Sequence, residues 1–132
     1  MPNHVEIVKG VYVAFARGDL AGVLAAFDPQ IVWTEASGFP SVGGTHVGPP
    51  AVATVLGRVV GEWDGLTVTP DEYFSAADKV VVLGETQGRH RATGKHFGSR
   101  FAHEWRLRDG HVTEWRGHVD TALAQAAAKA DA

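Results

Sequence analysis

The pair Asp109-Gly110 constrains this chain more than any other feature. Asp-Gly supplies the two positive-φ positions of a tight hairpin turn, and segments of alternating hydrophobicity flank it on both sides. In segment 97–108, Phe101, His103, Trp105 and Leu107 share one face, with Arg100, Ala102, Glu104 and Arg106 on the other. In segment 111–120, Thr113, Trp115, Gly117 and Val119 fall together, with Glu114, Arg116 and His118 opposite. Pairing the two tryptophan faces gives a ribbon with an aromatic inner side. On its outer side Glu104 and Arg106 lie beside Glu114 and Arg116, as cross-strand pairs on an exposed or subunit-facing surface. Gly117 leaves a gap on the inner side for a ligand or a neighbouring side chain.

Upstream, the same period of two predicts strands at 66–76 and 79–90, with turns at Ala77-Asp78 and at 92–95. The N-terminal half has a helical period instead. Asn3 followed by Glu6 fits an N-cap with its capping-box partner, and Val5, Val8, Tyr12 and Phe15 give the helix one apolar face. Gly18-Asp19 ends it, and Asp19 caps a second helix, Leu20 to Phe27, which Asp28-Pro29 closes. A strand, Ile31 to Glu35, follows. Residues 37–50, rich in Gly and Pro, read as a loop or a loop around a very short strand. Pro49 opens a third helix whose buried stripe is Val52, Val55, Leu56 and Val59, ending near Gly61. The Ala-rich stretch from Thr121 to Ala132 predicts a weak, partly frayed helix. Helices followed by a run of antiparallel strands specify one α+β domain over residues 1–132, in which the helices cover one face of the sheet. Strong curling would leave a pocket between them.

The totals remove several classes of function. A net charge of −3, with Lys and Arg dispersed, carries no nucleic-acid footprint. The chain contains no Cys, which excludes disulfides and thiolate chemistry. The seven His show no HxH or HExxH spacing, so no metal site is expected. No apolar run approaches the roughly 20 residues of a membrane span, and residues 1–16 lack the features of a signal peptide; the expected location is cytoplasmic.

Chemistry is expected at Glu35. Alternation puts its carboxylate on the same face as Ile31 and Trp33, where ionised oxygens lose water. Either that face meets solvent, or the carboxyl is raised in pKa and available for proton transfer. His103, the one imidazole on the aromatic face, is either a satisfied core residue or its partner. Glu35 and His103 are the catalytic candidates, and Tyr12, Phe15, Trp33, Phe101, Trp105 and Trp115 the candidate lining of a small-molecule pocket. For His4, His46, His90 and His96 solvent is the expected neighbour, and His111 sits in a turn. His118 and Asp120 share the outer face, as a subunit contact or strand-end polar pair.

The runs Ala16-Arg17-Gly18-Asp19-Leu20, Phe27-Asp28-Pro29, Val32-Trp33-Thr34-Glu35, Gly44-Thr45-His46-Val47-Gly48-Pro49 and Phe101-Ala102-His103-Glu104-Trp105 resemble SnoaL-like and ketosteroid-isomerase-like proteins of the nuclear transport factor 2-like superfamily. The resemblance spans residues 5–121. It implies a cone-shaped α+β barrel, a strongly curved and mainly antiparallel sheet packed on three N-terminal helices around a pocket, assembled as a homodimer through the sheet. It also implies that Glu35 stands at the position of the isomerases' general-base Asp, and His103 at that of the protonated Asp facing the oxyanion, an arrangement long established for those enzymes. Val11 holds the position of their helix-one Tyr, with Tyr12 one residue on. The Arg-Asp arrangement of limonene-epoxide-hydrolase relatives is missing. Two functions follow: cofactor-free acid-base chemistry on an apolar carbonyl or polyketide-like compound, or a non-catalytic binding or scaffold protein with the same pocket.

Overall fold

The computed structural model describes residues 3–131. Three helices, α1 (His4–Ala16), α2 (Leu20–Ala25) and α3 (Pro49–Glu62), are interleaved with strands β1 (Phe27–Glu35) and β2 (Gly44–Val47). Strands β3 (Trp63–Ala76), β4 (Lys79–His90), β5 (His96–Arg108) and β6 (His111–Val119) follow, and helix α4 (Thr121–Ala128) ends the described chain. The six strands form one sheet in the order β2-β1-β6-β5-β4-β3. Only β1 and β6 run parallel. The α+β class holds, but the sheet is not a closed barrel: β2 and β3 remain as edges, and the helices cover its concave inner face.

Local chemistry explains most of the boundaries. The Asn3 side chain accepts from the Glu6 N–H at 2.8 Å and Asp19 from the Gly22 N–H at 2.9 Å, satisfying amides that the first helical turns leave unpaired. Asp109 and Gly110 both take positive φ, 52° and 78°, as the tight hairpin between β5 and β6 requires. Trp105 faces Trp115 across that hairpin, Glu104 faces Arg116, and Arg106 faces Glu114.

Three expectations need correction. The helix assigned to Leu20–Phe27 stops at Ala25, and Phe27 begins β1, paired with Val112. Asp28-Pro29 therefore sits inside a strand, where the ladder is irregular between Phe27 and Val32 and Asp28 accepts from the Gln30 N–H at 2.8 Å. A proline with no N–H to give is tolerated at such an irregularity. Strand β3 begins at Trp63 rather than near 66, because Trp63 pairs with His90. The tail is packed, not frayed: Asp120 caps α4, and Ala124 and Ala127 are buried in a second core with Trp63 and Phe97. The Thr93 hydroxyl also bonds the Ala127 carbonyl at 2.5 Å. The helix ends at Ala128, where Lys129 turns to extended backbone, short of the expected end at Ala132, which itself lies outside the described residues. Residues 37–50 take the second form foreseen, a loop around the short strand β2.

Candidate active site

The site forms where β1, β5 and β6 turn their inner faces toward α1. Trp33 on β1 pairs with Trp115 on β6, and their indoles stack at 3.9 Å between centroids. Trp105 and Phe101 come from β5, and Tyr12 faces them from α1. Together these residues line a cavity of about 120 Å³ that also contains Phe15, Glu35 and His103. Every residue expected at the pocket, from strand alternation or from the apolar face of the first helix, thus borders one cavity.

Glu35 ends β1. Its carboxylate accepts one hydrogen bond within the protein, from the Trp33 indole N–H at 3.3 Å. The residue keeps some accessible surface because it borders the cavity, but apolar groups surround the carboxyl. Burial therefore pushes its pKa up from 4.5 to about 7, opposed in part by the Trp33 hydrogen bond.

His103 is oriented from behind. The Trp105 indole N–H donates to the Tyr12 hydroxyl oxygen at 3.0 Å, and that hydroxyl lies 2.6 Å from His103 Nδ1. With its oxygen already accepting from Trp105, the Tyr12 hydroxyl has its own proton to give to Nδ1. The imidazole then carries its proton on Nε2. Burial holds the Tyr12 phenol above its ordinary range, so that proton stays in place. Burial, assisted by the nearby His118, pushes His103 down to about 3, which makes it a neutral ring near pH 7. Phe101 stacks on it at 4.0 Å. Among the described residues, Nε2 has no hydrogen-bond partner and is not sealed from the cavity.

Tyr12 borders the cavity, with its hydroxyl committed to His103 and Trp105. The gap at Gly117 is taken by a side chain, since a Cβ there would lie 2.3 Å from Cη2 of Trp115. Three histidines assigned to solvent are half-buried: His4 opens α1, His46 Nε2 lies 2.8 Å from the Val42 carbonyl, and the His90 ring sits edge-on to Trp63 at 4.9 Å. His118 and Asp120 do not pair. His118 meets Glu104 at 2.6 Å, and Asp120 caps α4. Among the described residues, no group of three or more His, Asp or Glu side chains is placed to hold a metal ion. What the alternation pattern could not supply is the Trp105–Tyr12–His103 chain, which joins a helix to a strand about 90 residues away.

Comparison with known proteins agrees with this architecture. The SnoaL-like domain model matches residues 8–115. An NTF2-like protein from Burkholderia thailandensis is 36% identical, with 98% of this chain and 99% of that chain covered and a TM-score of 0.93. TerC, crystallised with polyporic acid, is 26% identical over 94% of this chain and 96% of its own, with a TM-score of 0.86. IdmH, a candidate polyketide cyclase from Streptomyces antibioticus, is 20% identical over 92% and 95%, with a TM-score of 0.79, and bears on the fold alone. No curated protein matches the chain significantly.

Proposed function

Because the chain belongs to the SnoaL-like domain family, whose fold hosts many reactions, we infer its chemistry from the cavity: cofactor-free proton transfer on a small, apolar carbonyl compound of polyketide-like kind. The observation that carries this reading is a carboxyl of raised pKa and a neutral imidazole with a free Nε2 bordering one aromatic cavity. Glu35 would take a proton from the carbon beside the carbonyl. The C–H electron pair becomes the enolate double bond, and His103 Nε2–H donates to the developing oxyanion. Glu35 can return the proton at another carbon, or the enolate carbon can attack a second carbonyl carbon of the same molecule, whose π pair moves to its oxygen and takes the proton held by Glu35. The aromatic walls supply burial and planar shape selection. An apolar cavity of about 150 Å³ holds benzene, so the space as it stands suits a single ring rather than a steroid.

The test is Glu35→Gln in a screen of ketone and polyketide-like substrates. Turnover should vanish while ligand binding, read by quenching of the cavity tryptophans, survives. Retained turnover would end the assignment.

A non-catalytic binding protein is the second reading, favoured by the small cavity and by the Trp33 hydrogen bond on Glu35. It predicts ligand binding with no turnover in wild type or variant. A homodimer through the outer sheet face is part of the proposal. It follows from the family resemblance, since the ion pairs on that face, Glu104 with Lys79 and Arg106 with Glu114, close within one chain, and sedimentation velocity tests it. Among the described residues, no helix is long and apolar enough to cross a membrane.

A further inference from the structure

A second cavity, of about 180 Å³, lies against the first on its helical side. Phe15, Val23 and Leu56 border both cavities, while Leu20, Gly57 and Val60 border only the outer one. These three shared side chains therefore form a wall one side chain thick between the two. Val23 and Leu56 are locked: they are 1% and 8% exposed, wedged in the main core. Phe15 differs on two counts. It is only partly buried, and it sits in the last turn of α1, directly before the chain leaves the helix at Arg17 and Gly18. Its ring is also the largest of the three and turns on flexible torsions, whereas Val23 is stiff at χ1. The outer cavity is apolar, and two of its walls, Leu20 and Val60, are 40% and 49% exposed, so an occupant would cover hydrocarbon that water now touches.

We propose that Phe15 is the size-determining residue of the site: its ring separates the two cavities, and displacing it joins them into one slot for a planar carbonyl compound of two or three fused rings. Such a ligand would place its reacting carbonyl between Glu35 and His103 and its far ring between α2 and α3. This rests on the site proposed above, but its test requires binding only and leaves turnover aside.

The probes are phenol, 2-naphthol and a phenanthrol, whose hydroxyl mimics an enol and whose ring count varies. Affinity is read by tryptophan quenching. In Phe15→Ala the phenanthrol should tighten about tenfold over wild type, the scale of admitting one more ring to an apolar slot, while phenol changes less than threefold. Gly57 provides the control and protects against misfolding of the first variant. A Cβ at Gly57 meets nothing within 4 Å, so a side chain can leave the helix there, and Gly57→Phe adds a ring at the wall of the outer cavity. Gly57→Phe alone should weaken 2-naphthol several-fold and spare phenol, and in the double variant it should cancel the gain from Phe15→Ala. Unchanged ring-size preference in Phe15→Ala, or an equal loss for all three probes in Gly57→Phe, would overturn the proposal. Loss of turnover in Glu35→Gln bears on the reaction and leaves this result standing.

Discussion

Removing the phenolic oxygen of Tyr12, with Tyr12→Phe, would strand two partners while leaving the ring packing in place. The Trp105 indole N–H, now 3.0 Å from that oxygen and 2% exposed as a residue, would lose its acceptor. A buried donor left unpaired costs about 1–3 kcal/mol. His103 Nδ1 would lose its donor at 2.6 Å, worth a further ~1 kcal/mol. Urea unfolding of wild type and variant should therefore differ by about 2–4 kcal/mol, with no change in m because the surface exposed on unfolding is the same. Nitrogen NMR of His103 gives a second, independent reading. Wild type should show the proton on Nε2 and a bare, hydrogen-bonded Nδ1, and the variant a mixture of tautomers. A loss below about 0.5 kcal/mol with an unchanged tautomer would refute the relay, and with it the reason Nε2–H faces the cavity.

Three other predictions follow from the same geometry. Glu35 has a folded pKa of about 7 against 4.5 unfolded, so the folded state holds its proton more tightly. The stability this confers is complete below pH 4.5 and is lost as pH rises through 7; wild type should lose roughly 3 kcal/mol relative to Glu35→Gln across that window, measured by urea titration at several pH values. Turnover, where found, should rise with pH along a single limb near 7 as Glu35 ionises. It should show no limb near 6.5 from His103, which burial keeps neutral down to about 3. Gly117→Ala puts a methyl 2.3 Å from Trp115 Cη2, so the indole must leave its stack on Trp33; a destabilisation of about 1–3 kcal/mol and a changed tryptophan emission are expected.

The strands were legible because alternation is a strict period. Phe101, His103, Trp105 and Leu107 all share the predicted inner face; the Asp109-Gly110 turn pairs Arg108 with His111, and a bulge between Leu107 and Arg106 shifts the register by one residue, so that Trp105 meets Trp115 rather than Glu114. The same logic placed Glu35 beside Trp33. What failed was local reading where pairing outweighs propensity. Asp28-Pro29 looks like a helix stop, yet parallel pairing with β6 draws Phe27 into β1. The Ala-rich tail has little stripe to show, because its contribution is two small faces, Ala124 and Ala127, that let the backbone dock closely on Trp63 and Phe97. The Tyr12 contact with His103 joins residues 91 positions apart, and no spacing rule reaches that far. His46 and His90 were misjudged for a related reason: flanking turn residues suggest solvent, but a carbonyl and a tryptophan edge fold over them.

The most direct test of the whole account is the pKa of the Glu35 carboxyl, followed by carbon-detected NMR across pH with Glu35→Gln as the assignment reference. A desolvated base facing an apolar cavity should titrate near 7. A value near 4.5 would mean a solvated carboxylate, and Glu35 could not be the base of the proposed reaction.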